Sequence, residues 1–158
     1  MSAMFVLIAL VFALTLITVE HNNVALLTPS RAAQQRTAEA GEFLSYRDAV
    51  TNYAVSHPAF VGAVPLTSLS GSYSATFASG AGNFVTSAGT NARVITSYAA
   101  VAGGTVAAAI KQSGGDASIG TSSGSTWVSA GPGASVAPQP LNTSVPAGDI
   151  VSVLEIGS

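Results

Sequence analysis

The chain predicts an α+β fold, and three observations carry that prediction. An apolar run opens the sequence, a long stretch of helical period follows, and past Pro58 come short β-prone runs cut by Gly, Ser and Asn. The elements expected are an N-terminal membrane helix, a long amphipathic helix, and a small mixed or antiparallel sheet with one short helix. At 158 residues there is room for one modest domain beyond the first helix. The segments read as a transmembrane anchor over 1–19, a juxtamembrane connector over 20–28, an amphipathic helix over 29–57 and an extracytoplasmic α/β domain over 58–158.

The seventeen residues from Ala3 to Val19 carry no charge. As a helix they span roughly 26 Å at about 1.5 Å per residue, against a hydrocarbon core of about 30 Å. Phe5, Leu7, Ile8, Leu10, Phe12, Leu14 and Ile17 supply the apolar surface. A secretory signal fits less well, because Met1 to Met4 holds no Lys or Arg and no cleavage site precedes Glu20. A core helix apolar on all sides is rare at a chain terminus in a domain of this size. An uncleaved anchor is the reading taken, with a helix satisfying its own backbone in lipid.

Flanking charge does not set the orientation, since Arg31 and Arg36 are the nearest basic residues. Composition does more. Charged residues are 8% of the chain, against about 25% in an ordinary soluble domain, and none lies between Ala49 and Ala92. Ser, Thr, Asn and Gly supply the polarity, a texture associated with bacterial extracytoplasmic proteins. The expected placement is an N-terminus in the cytoplasm and a C-terminal domain in the periplasm. A net charge of −2 and a single lysine, Lys111, exclude the basic footprint of a nucleic-acid binder. Without cysteine there are no disulfides and no thiolate metal sites.

Thr28-Pro29 resets the chain: Thr28 suits an N-cap and Pro29 a first helical residue. Pro58 ends the helix near Ser56 or His57. Phe43, Leu44, Tyr46, Val50 and Tyr53 are the residues expected to dock it on a core, with helical spacings such as 43–50 and 50–53–54. Arg36 and Glu39, three apart, are placed to pair for a few tenths of a kcal/mol. Arg47 has no acid three or four residues before it. The exposed stretch Ser30 to Glu42 and the proline-rich loop are the candidate contact surfaces.

Tyr73–Phe77 alternates as a strand should, Gly80–Asn83 reads as a turn, and Phe84–Thr86 as a strand. Arg93–Tyr98 is the best strand of the chain, rich in β-branched and aromatic residues. Thr105–Gln112 reads as a short helix between Gly103-Gly104 and Gly114-Gly115. Ala117–Gly120, Ser125–Ser129 and Asp149–Ile156 are further strands. Gly131–Pro146, with four prolines, is a loop. Phe60, Val94, Ile95, Tyr98, Trp127, Ile150 and Val153 make the expected core.

The catalytic inventory is thin. His21 and His57 have no second ligand at metal spacing. His57 suits the C-terminal end of its helix better than a catalytic role. Gly-rich pieces lack the Lys-Ser/Thr of a phosphate loop. An enzyme would need paired carboxylates, Asp116 with Asp149 or Glu155, and solitary carboxylates are more often solvated. The expectation is no enzyme, no metal, no cofactor and no small-molecule substrate. A charge-poor domain that can be buried against protein neighbours without stranding ions is the reading that remains.

Residues Phe43 to Val64 match the pattern FxxYRxAVxxYxxxxPxFxGxV. This segment resembles the PilM family of type IVB (thin) pilus proteins from conjugative-plasmid systems. Arg93–Tyr98, Trp127–Ser129 and Val145–Ser152 are similar to that family too. The resemblance implies a non-enzymatic inner-membrane protein of pilus biogenesis. It would be bitopic, partnered by other inner-membrane and periplasmic assembly proteins, and able to form a homo-oligomer. A type IVB minor pilin or pseudopilin is the alternative, and the sheet domain is expected to be pilin-like. A pilin would have a basic leader ending in Gly and a Glu inside the apolar helix, whereas the first acid here is Glu20. A membrane-tethered cell-wall enzyme is the remaining alternative.

Overall fold

The computed structural model describes residues 30–157. The chain divides into two compact units, Met1–Gln34 and Gln35–Ser158. The described part of the first unit is the opening of a helix, in which Ser30 Oγ accepts the Ala33 N–H at 3.2 Å.

That helix, α1, runs Arg31–Ser56. It buries Ala40, Phe43, Tyr46, Ala49, Val50 and Ala54, spacings of three and four that put one stripe on one face. Its end is fixed by more than Pro58. Arg93 Nη1 donates to the carbonyls of Ala54 at 2.8 Å and His57 at 3.1 Å, satisfying acceptors that a helix C-terminus leaves without intrahelical partners.

Strands β1 (Ala81–Ser87), β2 (Arg93–Ala99), β3 (Ile119–Ser122), β4 (Thr126–Ser129), β5 (Gln139–Pro140) and β6 (Ile150–Ile156) form one sheet in the order β1-β2-β6-β3-β4-β5. Every pairing is antiparallel. The sheet curls into a half-barrel: just past β5 at one edge, Asn142 Nδ2 donates to Thr86 Oγ1 of β1 at the other. A short helix α2 (Ala75–Gly80) precedes β1, and α3 (Thr105–Gln112) joins β2 to β3.

The register assigns the faces, because side chains alternate along a strand. Val85, Ile95, Ala99, Ile119 and Ile150 pack with α1. Phe84, Thr96, Tyr98, Val151 and Trp127 take the opposite face, where Thr96, Val151 and Trp127 are buried. Under α1 the core comes in two clusters. Phe43, Ala40, Ala109, Ile119 and Ile150 form one; Tyr46, Val50, Val64, Val85 and Ile95 form the other. Between them lies a polar row across three strands, Asn83, Ser97 and Ser152, all buried. Ser97 Oγ has no hydrogen-bond partner there.

The expected fold needs correction. The anchor Ala3–Val19, with Phe5, Leu7, Ile8, Leu10, Phe12, Leu14 and Ile17, lies outside the described residues. Among the described residues no helix is long and apolar enough to cross a membrane, so the described fold is not built on a membrane helix. Of the expected mixed or antiparallel, pilin-like sheet the antiparallel sense holds, but the form is a six-stranded half-barrel.

Two local expectations fail for identifiable reasons. Tyr73–Phe77 is no strand: Ser74 caps α2 by accepting the Phe77 N–H at 3.1 Å, and Tyr73 and Phe77, four apart, both meet the Tyr46 ring edge-on. Gly80–Asn83 is no turn but the start of β1. Gly82 is there because a Cβ would collide with the Tyr98 ring across the pair. The proline-rich loop also contributes β5, a two-residue edge strand, where a missing N–H is tolerated.

Phe43, fully buried at the centre of one cluster, should cost about 3–5 kcal/mol of stability as Phe43→Ala. Val136, 85% exposed, should change stability by less than about 0.5 kcal/mol as Val136→Ala. Urea unfolding of the two variants checks the contrast.

Candidate functional site

Several polar side chains along α1 end on other segments. Glu39 Oε2 accepts the Ala102 N–H and the Thr105 hydroxyl, each at 3.0 Å, and its other oxygen accepts Gln35 Nε2 at 2.9 Å. Glu42 accepts the Ser74 N–H at 2.8 Å, and Ser45 Oγ the Ser72 N–H at 2.6 Å. Thr37 O accepts Gln112 Nε2 at 2.8 Å. Burial pushes the Glu39 carboxyl up, but the bonds from Ala102, Gln35 and Thr105 outweigh it and hold it below the ordinary glutamate value. Arg36, expected to pair with Glu39, lies instead against Gly104.

Arg47 pairs with its neighbour Asp48 at 2.9 Å and with Asp116 at 2.6 Å. Burial raises the Asp116 carboxyl, while hydrogen bonds from Ser118 and the Arg47 guanidinium more than reverse that, leaving it low. Asp149, 9% exposed, is pushed up by burial. Glu155 is exposed on β6. Asp116 is therefore committed to a cation. Among the described residues no group of three or more His, Asp or Glu could hold a metal ion. His57 stacks on Tyr53 at 4.1 Å, its Nδ1 2.9 Å from Tyr53 O.

The residues expected to dock α1 fall as follows. Phe43, Tyr46 and Val50 have no exposed surface. Leu44 and Tyr53 pack at the margins of the two clusters. Of the expected core, Ile95 and Ile150 lie under α1, and Phe60 meets Tyr53 edge-on at 5.2 Å. Trp127 is buried on the opposite face, where Val94, Tyr98 and Val153 are half-buried. Sequence reasoning missed Asn83. Its amide accepts the Val64 N–H at 2.7 Å and donates to Val64 O at 3.2 Å and to the Tyr46 hydroxyl at 2.8 Å. Glycine and asparagine side by side look like a turn, and only the pairing with β2 reveals the strand.

Two features remain available to a partner. One is an open apolar cleft of about 530 Å³ lined by Val101, Gly104, Val106, Ile110, Thr121 and Ala130. The other is an exposed set of residues: Arg31, Ala32, Arg36 and Ala38 on α1, most of the proline-rich loop, and the apolar Val55, Val61, Leu66 and Val136. Within Ser30–Glu42, Ala40 is buried, and Glu39 and Glu42 are spent on internal hydrogen bonds.

The sequence model of the PilM family matches residues 9–153. The chain belongs to the PilM family. A crystal structure of a protein named PilM from Escherichia coli B7A superposes with a TM-score of 0.55 at 16% identity, covering 80% of this chain and 97% of that one. At that identity the likeness speaks for the fold alone. No curated protein matches the chain. Membership of the PilM family points to a pilus-related role.

The two acids titrate with opposite sign. Asp116, low in the folded state, contributes stability that is present above its unfolded pKa and lost as pH falls through the lower folded value. Asp116→Asn should flatten the acid limb of stability against pH. Asp149, raised in the folded state, costs stability once pH rises through its folded value, so Asp149→Asn should stabilise at pH 7 and lose that advantage in acid. Thermal melts between pH 3 and 7 (about one unit below to three above the usual Asp value of about 3.9) check both.

Proposed function

We propose that this PilM-family protein is a non-enzymatic component of a type IVB pilus assembly machine, with the described domain on the periplasmic side of the inner membrane. It works by binding other assembly proteins, and copies of itself, through charge-poor surfaces. The observation that carries this reading is the family match over residues 9–153. It is supported by the exposed apolar residues Val55, Val61, Leu66 and Val136 and by the charge-free stretch Ala49 to Ala92. Burying such a surface desolvates few ions. The pairing of Asp116 with Arg47 counts against a wall-cleaving enzyme, whose carboxylate pair would include Asp116.

The exposed side of α1 is the first contact face. Arg31→Glu, Ala32→Glu and Ala38→Glu together should cut piliation at least tenfold while stability moves by less than about 0.5 kcal/mol, as expected for surface changes. Normal piliation in that variant would remove this face from the reading. Asp116→Asn, Asp149→Asn and Glu155→Gln together should leave piliation at the wild-type level; loss of piliation with an intact fold would revive the enzyme. Protease added to spheroplasts should digest the domain, and complete protection would overturn the periplasmic placement.

A further inference from the structure

We infer that α3 with its leading loop, Val101 to Ser113, is a hinged flap, latched shut by the Glu39 carboxylate and covering an apolar surface. Three independent features of the geometry lead there.

The first is the hinges. Gly104 has φ of +91°, and Gly114 and Gly115 have φ of +73° and +95°. These bracket α3 at both ends with backbone that glycine adopts freely and other residues rarely do. The second is thin packing. α3 fully buries Thr105 and Ala109, and its Val106, Ala108 and Ile110 pack only partly buried against the cluster of Phe43, Ile119 and Ile150. Its Val106 and Ile110 border the 530 Å³ cleft, with Thr121 and Ala130 also lining it. The open space leaves part of Val106 and Ile110 without neighbouring atoms and so without their dispersion contacts.

The third is the latch itself. Glu39 accepts from Ala102 N and Thr105 Oγ1, spanning the forward hinge and the first residue of α3 with one charged group. Such bonds are about twice as strong as neutral ones. The helix supplies little else at this end: its N-cap is Gly104, with no side-chain cap. Gln112 to Thr37 O is a neutral bond at the far end. Release of Glu39 frees the loop to swing on its glycines and bares Phe43, Ile119 and Ile150, the core residues against which Val101, Val106 and Ile110 pack.

The charged groups around the latch are few. Arg36 lies on the same helix against Gly104. Lys111 is in the last turn of α3, and the loop from Val101 to Gly104 has no charge. Glu39 sits low in the closed state, so the latch holds above the ordinary glutamate value and weakens as pH falls through its own folded value.

Amide hydrogen exchange on the full chain tests the flap, with rates corrected for intrinsic exchange. Glu39→Ala keeps a good helix former on α1 and removes both bonds. Exchange over residues 101–113 should rise by about tenfold or more, the loss of at least one hydrogen bond to a charged group, with β2 and β6 unchanged. Thr105→Val, which removes one bond and keeps the shape, should raise it less. Lowering pH should accelerate the same amides in the wild type and not in Glu39→Ala. No change over 101–113, an equal rise in β2 and β6, or a surviving acid response in Glu39→Ala would each overturn the latch.

Discussion

Tyr46 is the residue on which the described fold turns. Its ring has no exposed surface and meets Tyr73 and Phe77 edge-on at 5.5 and 6.2 Å. Its hydroxyl accepts the Asn83 amide, and that amide holds Val64 by both its N–H and its carbonyl. One side chain of α1 thereby fixes α2, the edge strand β1 and the segment that runs beside it. A buried tyrosine needs a partner for its hydroxyl, and the demand is met by an amide that would itself be costly to bury unpaired. Burial also pushes the Tyr46 phenol up, so it stays neutral.

From that anchor α1 acts as a spine whose apolar stripe holds the sheet and whose polar positions hold the loops. Glu39, Glu42 and Ser45 each end on backbone N–H groups of segments far along the chain. In a chain with 8% charged residues, most of the charges on α1 are spent internally. Arg47 bridges to Asp116 across 69 residues, and Arg93 closes the helix from β2. What is left outward is mostly hydroxyl, amide and aliphatic surface, with Arg31, Arg36, Lys111 and Glu155 among the exposed charges.

The local signals that survive folding are those written in a few adjacent residues. Pro58 stops α1 next to Ser56 and His57, the Gly pairs bracket α3, and the β-branched run from Arg93 becomes β2. The signals that mislead are those whose outcome lies across the sheet or helix. Tyr73 to Phe77 alternates like a strand, yet a serine cap and a shared aromatic target on α1 make it helical. Gly82-Asn83 has turn chemistry, yet Tyr98 across the ladder needs a residue without a Cβ and Tyr46 needs an amide. The sign of each titration is likewise set by distant partners: Arg47 holds Asp116 low, while burial alone raises Asp149.

By itself the sequence determined the long helix and its docking stripe, the short helix between glycines, the best strands and the likeness to PilM proteins, because helical period, proline and glycine stops and β-branching act through neighbours along the chain. Tertiary structure alone decided the order and wholly antiparallel sense of the six strands, the half-barrel closure from Asn142 to Thr86, the two-part core with its polar row, and the partners of Glu39, Arg47 and Asn83. Those depend on which residues meet across tens of positions. A pattern of period two or 3.6 fixes which face a side chain takes, but not what stands opposite it.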